Sequence, residues 1–340
     1  MPTRLAPLSG RSRRQRAFSL LEILLVVSIM TVIVYALYTM FDHTQRALRG
    51  NTTQVDVQEA ARATMDLISR DVEQCAASGL YENNSLGTNV FALVSFPINK
   101  ASDALTQELS FASAPRWRTN VLMDLFLLTR PGNYWTSIGY FIASPTNPAV
   151  AVAGDGIGSL YRLSPTSLGL TNPPTMRLSV ATISNWVSQF NNQYNSRTNA
   201  GPVADGIVHF RLQAYDPLGY LMFYDYPRFY GYNRVYAGYN VTNLLGSDRD
   251  RLWPIWPRNV VLRMDQLRDN SSLDQTEFCF LNNALPAYIE LELGVLEPQA
   301  WDKVKALPTP ELKRQYLLKH AGQVHLFRKR IPIHLAPNEP

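Results

Sequence analysis

Hydrophobic and polar positions fall into three successive patterns along the 340-residue chain. Residues 18–40, FSLLEILLVVSIMTVIVYALYTM, are apolar almost throughout; Glu22 is the only carboxylate and no Gly, Pro, Lys or Arg interrupts them. As a helix rising ~1.5 Å per residue the run reaches roughly 35 Å, enough to cross a ~30 Å hydrocarbon layer. A secretory signal has a shorter apolar region followed by an A-x-A-like site, and neither feature is present. The pattern predicts a membrane helix.

From residue 42 the pattern stays helical but becomes one-sided. Val57, Ala61, Met65, Ile68, Val72 and Cys75 recur at steps of three and four and form one apolar stripe. Arg62–Asp66 and Asp66–Arg70 are i,i+4 charge pairs on the other side. Gly79 is a fitting left-handed stop. One long helix over 18–78 is therefore predicted, its first half in the membrane and its second half packed on a soluble domain.

After Gly79 the chain turns to short apolar runs punctuated by Asn, Gly, Pro and Ser. Strands are expected at 91–96, 108–111, 121–129, 138–143, 159–163, 206–215 and 285–293, with loops at 83–89, 97–103 and 195–205 and a turn at 216–219. A short amphipathic helix fits 183–194. Thr309 and Pro310 read as N-cap and first residue of another helix, which leads into a last strand over 323–331. The fold class is α+β: a long N-terminal transmembrane and amphipathic helix packed on a mostly antiparallel β-sheet.

Glu22 is the costly residue. A carboxylate within a membrane span costs a few kcal/mol or more and calls for a partner. The span holds no cation. If the chain is cut between Ala17 and Phe18, the new amine lies about one turn from Glu22, and the amine of one subunit would meet the carboxylate of its neighbour.

The basic cluster Arg11, Arg13, Arg14 and Arg16, the small Ala17, and then Phe18-Ser19-Leu20-Leu21-Glu22 resemble the class III signal of type IV pilins and type II secretion pseudopilins. The resemblance implies cleavage by a prepilin peptidase before Phe18, methylation of the new amine and a role for Glu22 in aligning subunits. The family usually carries Gly where Ala17 stands. Weaker likenesses point to the J-type minor pseudopilins: the pair IGYFIA…GSLYRL as a hairpin, GIVHFRLQAY and LPAYIELEL as strands, and the helix over 62–75 with Asp71 near its end. The resemblance thus implies a leader at 1–17, a membrane half at 18–41, an amphipathic half at 42–78 and an exported β-rich domain at 79–340 with insertions near 216–284 and 298–322. It implies a structural subunit of a type II secretion pseudopilus or type IV pilus, placed at the tip because its bulk would crowd a continuous filament. Its partners would be the peptidase, other pilins through the helix, and the bacterial inner membrane, crossed once with the N-terminus cytoplasmic and the domain periplasmic.

The formal charge of +5 does not point to nucleic acid. The leader holds five arginines and no acid, so its removal takes +5 to zero. Those arginines would also hold the N-terminus in the cytoplasm. Cys75 and Cys279 are the only cysteines. They either close a disulfide in an oxidising compartment or remain two buried free thiols.

Residues 215–239 are crowded with aromatics, among them Tyr224, Phe229, Tyr230 and Tyr232. They form either a partner surface, as expected of a tip adhesin that recognises cargo, or a local mini-core. No H-E-x-x-H, G-x-S-x-G, P-loop or G-x-G-x-x-G opening a helix occurs, which counts against an exported hydrolase. The five histidines are scattered, and His209 and His325 fall in strand-like runs as packing or surface residues. Neither a cofactor nor a metal is expected; Asn243, Asp248 and Asp250 come closest to a calcium site. The chain reads as an enzyme's substrate and not as an enzyme.

Overall fold

A computed structural model describes residues 19–78, 87–94, 105–109, 116–131, 134–151, 156–164, 179–191, 199–215, 219, 221–222, 260–264, 276–282 and 284–333. The chain divides into two compact units, 1–53 and 54–340. One helix, α1 (Leu20–Glu73), runs through the first and enters the second.

In the second unit the strands are β1 (Thr88–Val94), β2 (Leu105–Leu109), β3 (Arg116–Asn120), β4 (Met123–Thr129), β5 (Thr136–Ser144), β6 (Asn147–Ala151) and β7 (Gly158–Leu163). After α2 (Val180–Asn191) come β8 (Gly201–Tyr215), β9 (Val260–Met264), β10 (Thr276–Leu281) and β11 (Tyr288–Leu296). Helices α3 (Pro298–Ala306) and α4 (Pro310–Lys319) precede the last strand, β12 (Val324–Pro332). Ten strands form one sheet in the order β12-β11-β8-β7-β5-β4-β1-β10-β9, with β6 against β5; β2 and β3 pair separately. Every strand pairing is antiparallel. The sheet curls, because a parallel bridge joins Leu122 to Phe210 and Phe210 N–H donates to Val121 O (2.8 Å).

Strand alternation gives this sheet two faces. Val90, Leu125, Leu127, Ile138, Ile142, Leu160, Leu212, Leu291 and Leu293 point into the curl and meet the α1 stripe. Val57, Ala61, Met65, Ile68, Val72 and Cys75 are all buried there, so the predicted packing of the second half of α1 holds. Fully burying a side chain such as Ile68, which is 0% exposed, contributes about 2–3 kcal/mol. On the outer face Phe91, Phe126, Phe141 and Tyr161 are capped by Ile183, Trp186 and Phe190 of α2. Phe190 lies directly on Gly139, where a Cβ would come within 2.2 Å of its ring. Further along the same face, α3 and α4 cover Val208 and Leu296 with Trp301, Val304 and Leu317.

Several boundaries differ from the sequence reading. Helix α1 stops at Glu73, short of residue 78, because the next residues are taken into the sheet: Ala76 N–H donates to Leu128 O (3.0 Å) and Arg130 N–H to Gln74 O (3.1 Å). Residues 201–205 belong to β8 and not to a polar loop, since Gly201, Pro202 and Ala204 pair with Arg162, Tyr161 and Leu160 of β7. Strands β3, β6, β9 and β10 and helix α3 were not legible as elements. The expected hairpin is present as β5 against β7, with Gly139 opposite Leu163. Thr309 caps α4 by accepting from Leu312 N–H (3.4 Å), as expected.

The disulfide alternative does not hold: Cys75 and Cys279 are both free thiols. Cys75 packs inside the curl, whereas Cys279 alternates with Phe278 and Phe280 on β10 and therefore lies on the outer face. The sheet separates them. Burial pushes the Cys75 thiol far above its ordinary value, so it stays protonated and inert.

Candidate functional site

What the described residues of the first unit offer is a surface. The large apolar side chains from Leu20 to Phe41 are all exposed within the chain, from Leu20 at 82% to Ile33 at 47%. A helix that is apolar all round cannot present that surface to water and needs hydrocarbon or other helices around it. The helix is long and apolar enough to cross a membrane. Two of its hydroxyls suit that setting, since Ser28 donates to Leu24 O (2.8 Å) and Thr31 to Val27 O (2.7 Å) within the helix itself. Ser19 starts the helix, accepting from Glu22 N–H at Oγ (3.2 Å) and at its carbonyl (3.0 Å). Glu22 stands in the first turn, where a negative charge complements the helix dipole. Its carboxylate has no partner among the described residues.

A second acid on the same helix is treated differently. Asp71 is 3% exposed, and its Oδ2 accepts from Tyr140 O–H (2.5 Å) and Arg162 Nε–H (2.7 Å). Tyr140 lies on β5 and Arg162 on β7, adjacent strands whose register puts the two residues opposite each other. Burial, and then the bond to Asp71, raises the Tyr140 hydroxyl far above its usual value. For Arg162 burial works toward deprotonation, but the bond and charge of Asp71 outweigh it and hold the guanidinium charged. The three groups pin the end of α1 to the sheet by a charge-assisted network.

A third set lies on the outer face of β8, β11 and β12. Glu290 is 1% exposed and takes both Arg328 and Arg330, the latter at 2.6 Å. Glu292 meets His209 Nε2 (3.2 Å) and Arg211 Nε (3.3 Å). Val121 N–H donates to His209 Nδ1 (3.1 Å), so the ring is neutral with its proton on Nε2, facing Glu292. Burial pushes the Glu292 carboxyl up, yet the His209 bond and the Arg211 and Arg328 charges win and hold it down at about 2. Arg330 also lies over the stacked rings of Tyr215 and Tyr288, 5.2 and 5.7 Å from their centroids. This ladder is structural in type: each buried charge is neutralised by a neighbour on the same sheet.

Of the residues singled out in the sequence, Glu22 is the one the first unit displays. Ala17, Phe18 and Gly79, the aromatics Tyr224, Phe229, Tyr230 and Tyr232, and the trio Asn243, Asp248 and Asp250 lie outside the described residues. Among the described residues no group of three His, Cys, Asp or Glu side chains is placed to hold a metal. His325 pairs with Glu297 (3.1 Å) at the half-exposed end of β12. Asp66 makes its ion pair with Lys329 of β12 (2.8 Å) instead of with Arg62 or Arg70 on its own helix. Tyr140, Arg162, Glu290 and Glu292 lie in the segments IGYFIA, GSLYRL and LPAYIELEL, which the sequence marked as strands without assigning any of these four side chains a role. For the two glutamates a further local signal was the alternation of Glu with Leu in "IELEL", which marks a strand with one charged face. No protein family, characterised protein or solved structure matches the chain.

Proposed function

We propose that this chain is a minor pilin-like structural subunit, trimmed by a prepilin peptidase before Phe18 and recruited through α1 into a pseudopilus or pilus. The observation that carries the reading is the contrast within α1: an apolar segment exposed all round, with a single unpartnered acid, continuous with a stripe sealed into a folded domain. The segment supplies membrane residence before assembly and helix packing after it. Glu22 supplies register, because its carboxylate loses its desolvation cost only where a neighbour's N-terminal amine reaches it. The basic residues ahead of Phe18 hold that end in the cytoplasm and send the domain to the periplasm. The domain is cargo-facing or tip-facing bulk and not a catalyst.

Mass spectrometry of the mature protein tests the reading. A chain beginning at Phe18 with an N-methyl group is the expected result, and an intact Met1 or a cut beyond Met40 would overturn it. Glu22→Ala should leave membrane insertion intact and abolish incorporation into the filament; incorporation at the parental level would remove Glu22 from the mechanism.

A further inference from the structure

Among the described residues, the last strand leaves one long edge of the ten-stranded sheet unpaired. Strand β12 pairs with β11 along its whole length, and among the described residues nothing pairs with its other side. An open edge is a template for another strand, and proteins commonly guard such edges with charge. Here the guard is Arg328, Lys329 and Arg330 in succession, with side chains 54%, 40% and 60% exposed. Each already holds an acid of its own chain on one side, Glu290 and Glu292, Asp66, and Glu290 respectively, and turns the rest of its charged head to solvent. Against a second copy of the same edge, these cations would face one another and repel. Against an acidic strand they would attract. The same three residues therefore reject one occupant and select another.

The pattern of that occupant can be read from β11. Its Glu290 and Glu292, two residues apart, lie opposite Arg330 and Arg328 in register. Arg330 gives Glu290 only its Nε–H, so its η nitrogens have no carboxylate among the described residues. An incoming strand with acids two residues apart would place them about 4.5–5.5 Å, Cβ to Cβ, from Arg328 and Arg330 on the outer face. The residue between its acids would lie beside Lys329, whose amine is held by Asp66 of α1 and whose aliphatic stem faces the newcomer. The residues flanking the acids would fall beside Phe327 and Ile331, partly buried and buried on the inner face, where apolar side chains fit. We infer that the free edge of β12 is a docking site for an extended acidic segment of a partner protein, of pattern Glu-apolar-Glu, added as a further antiparallel strand. The site lies wholly in the second unit and does not depend on processing or on Glu22, so its test and the assembly test fail separately.

The test uses the full chain in a non-ionic detergent and a fluorescein-labelled peptide, Thr-Glu-Val-Glu-Val-Glu-Thr, followed by anisotropy. Binding is expected in the range of tens of micromolar at low salt, weakening as salt screens the arginines. A peptide with Lys in place of every Glu should bind at least tenfold more weakly. Two further peptides carry N-methyl groups on the odd or on the even residues, so that only one of them blocks the edge-facing N–H groups. One should lose at least tenfold and the other should keep the parental affinity, while hydrogen exchange at β12 slows with the parental peptide. No binding at about 1 mM, equal binding of both methylated peptides, or unchanged exchange at β12 would each overturn the proposal.

Discussion

Helix α1 carries two acids in apolar surroundings, and the chain answers them in opposite ways. Asp71 is buried against Tyr140 and Arg162, brought to it from 69 and 91 residues away. Glu22 stands in a fully apolar, fully exposed segment with no carboxylate partner among the described residues. A buried or membrane-embedded carboxylate is tolerated only when something neutralises it. The acid in the second half is thus neutralised from within the fold, and the acid in the first half is not neutralised by any described residue.

The largest effect should come from removing the paired acid. Asp71→Ala leaves Arg162 partly buried without its counter-charge and Tyr140 without an acceptor, and should cost about 3–4 kcal/mol of domain stability. Glu22→Ala should leave the domain's melting unchanged. Chemical denaturation of both variants in detergent checks this, and an equal loss in both would erase the distinction between the halves. Next comes apolar truncation. Ile68→Ala should cost about 3 kcal/mol, as for a side chain with no room to relax, whereas Ile29→Ala, in the exposed segment, should not affect the domain.

A pH titration extends the comparison to a third acid. In the folded protein the Glu292 carboxyl is held at about 2, below the ordinary glutamate value of 4.5. Its contribution is therefore fully present above pH ~4.5 and is lost as pH falls through ~2, about 3 kcal/mol in all. Glu292→Gln should flatten that acid limb of the stability profile; an unchanged limb would mean that the His209 and Arg211 contacts do not act on it. The smallest effect belongs to Lys329→Ala, which breaks the exposed pair with Asp66 on α1. The melting temperature should move by no more than about 1 °C, because exposed ion pairs contribute little.

The sequence by itself determined what short-range periodicity can encode. Steps of three and four marked the six stripe residues from Val57 to Cys75, and each is buried. An uninterrupted apolar run marked the exposed half of α1, and Thr309-Pro310 marked the start of α4, because helix geometry and capping involve neighbours only a few residues apart. The same logic singled out Glu22 as an acid needing a partner, although the residues proposed to meet it, Ala17 and Phe18, lie outside the described part. Tertiary structure alone decided everything that rests on register between distant strands. It placed Tyr140 opposite Arg162 and both over Asp71, and it set Cys75 and Cys279 on opposite faces of the sheet. It also ended α1 early by drawing residues 74–76 into contact with β4. The reason is physical: a side chain's face follows from its own neighbours, but which residue stands across from it depends on how the sheet closes.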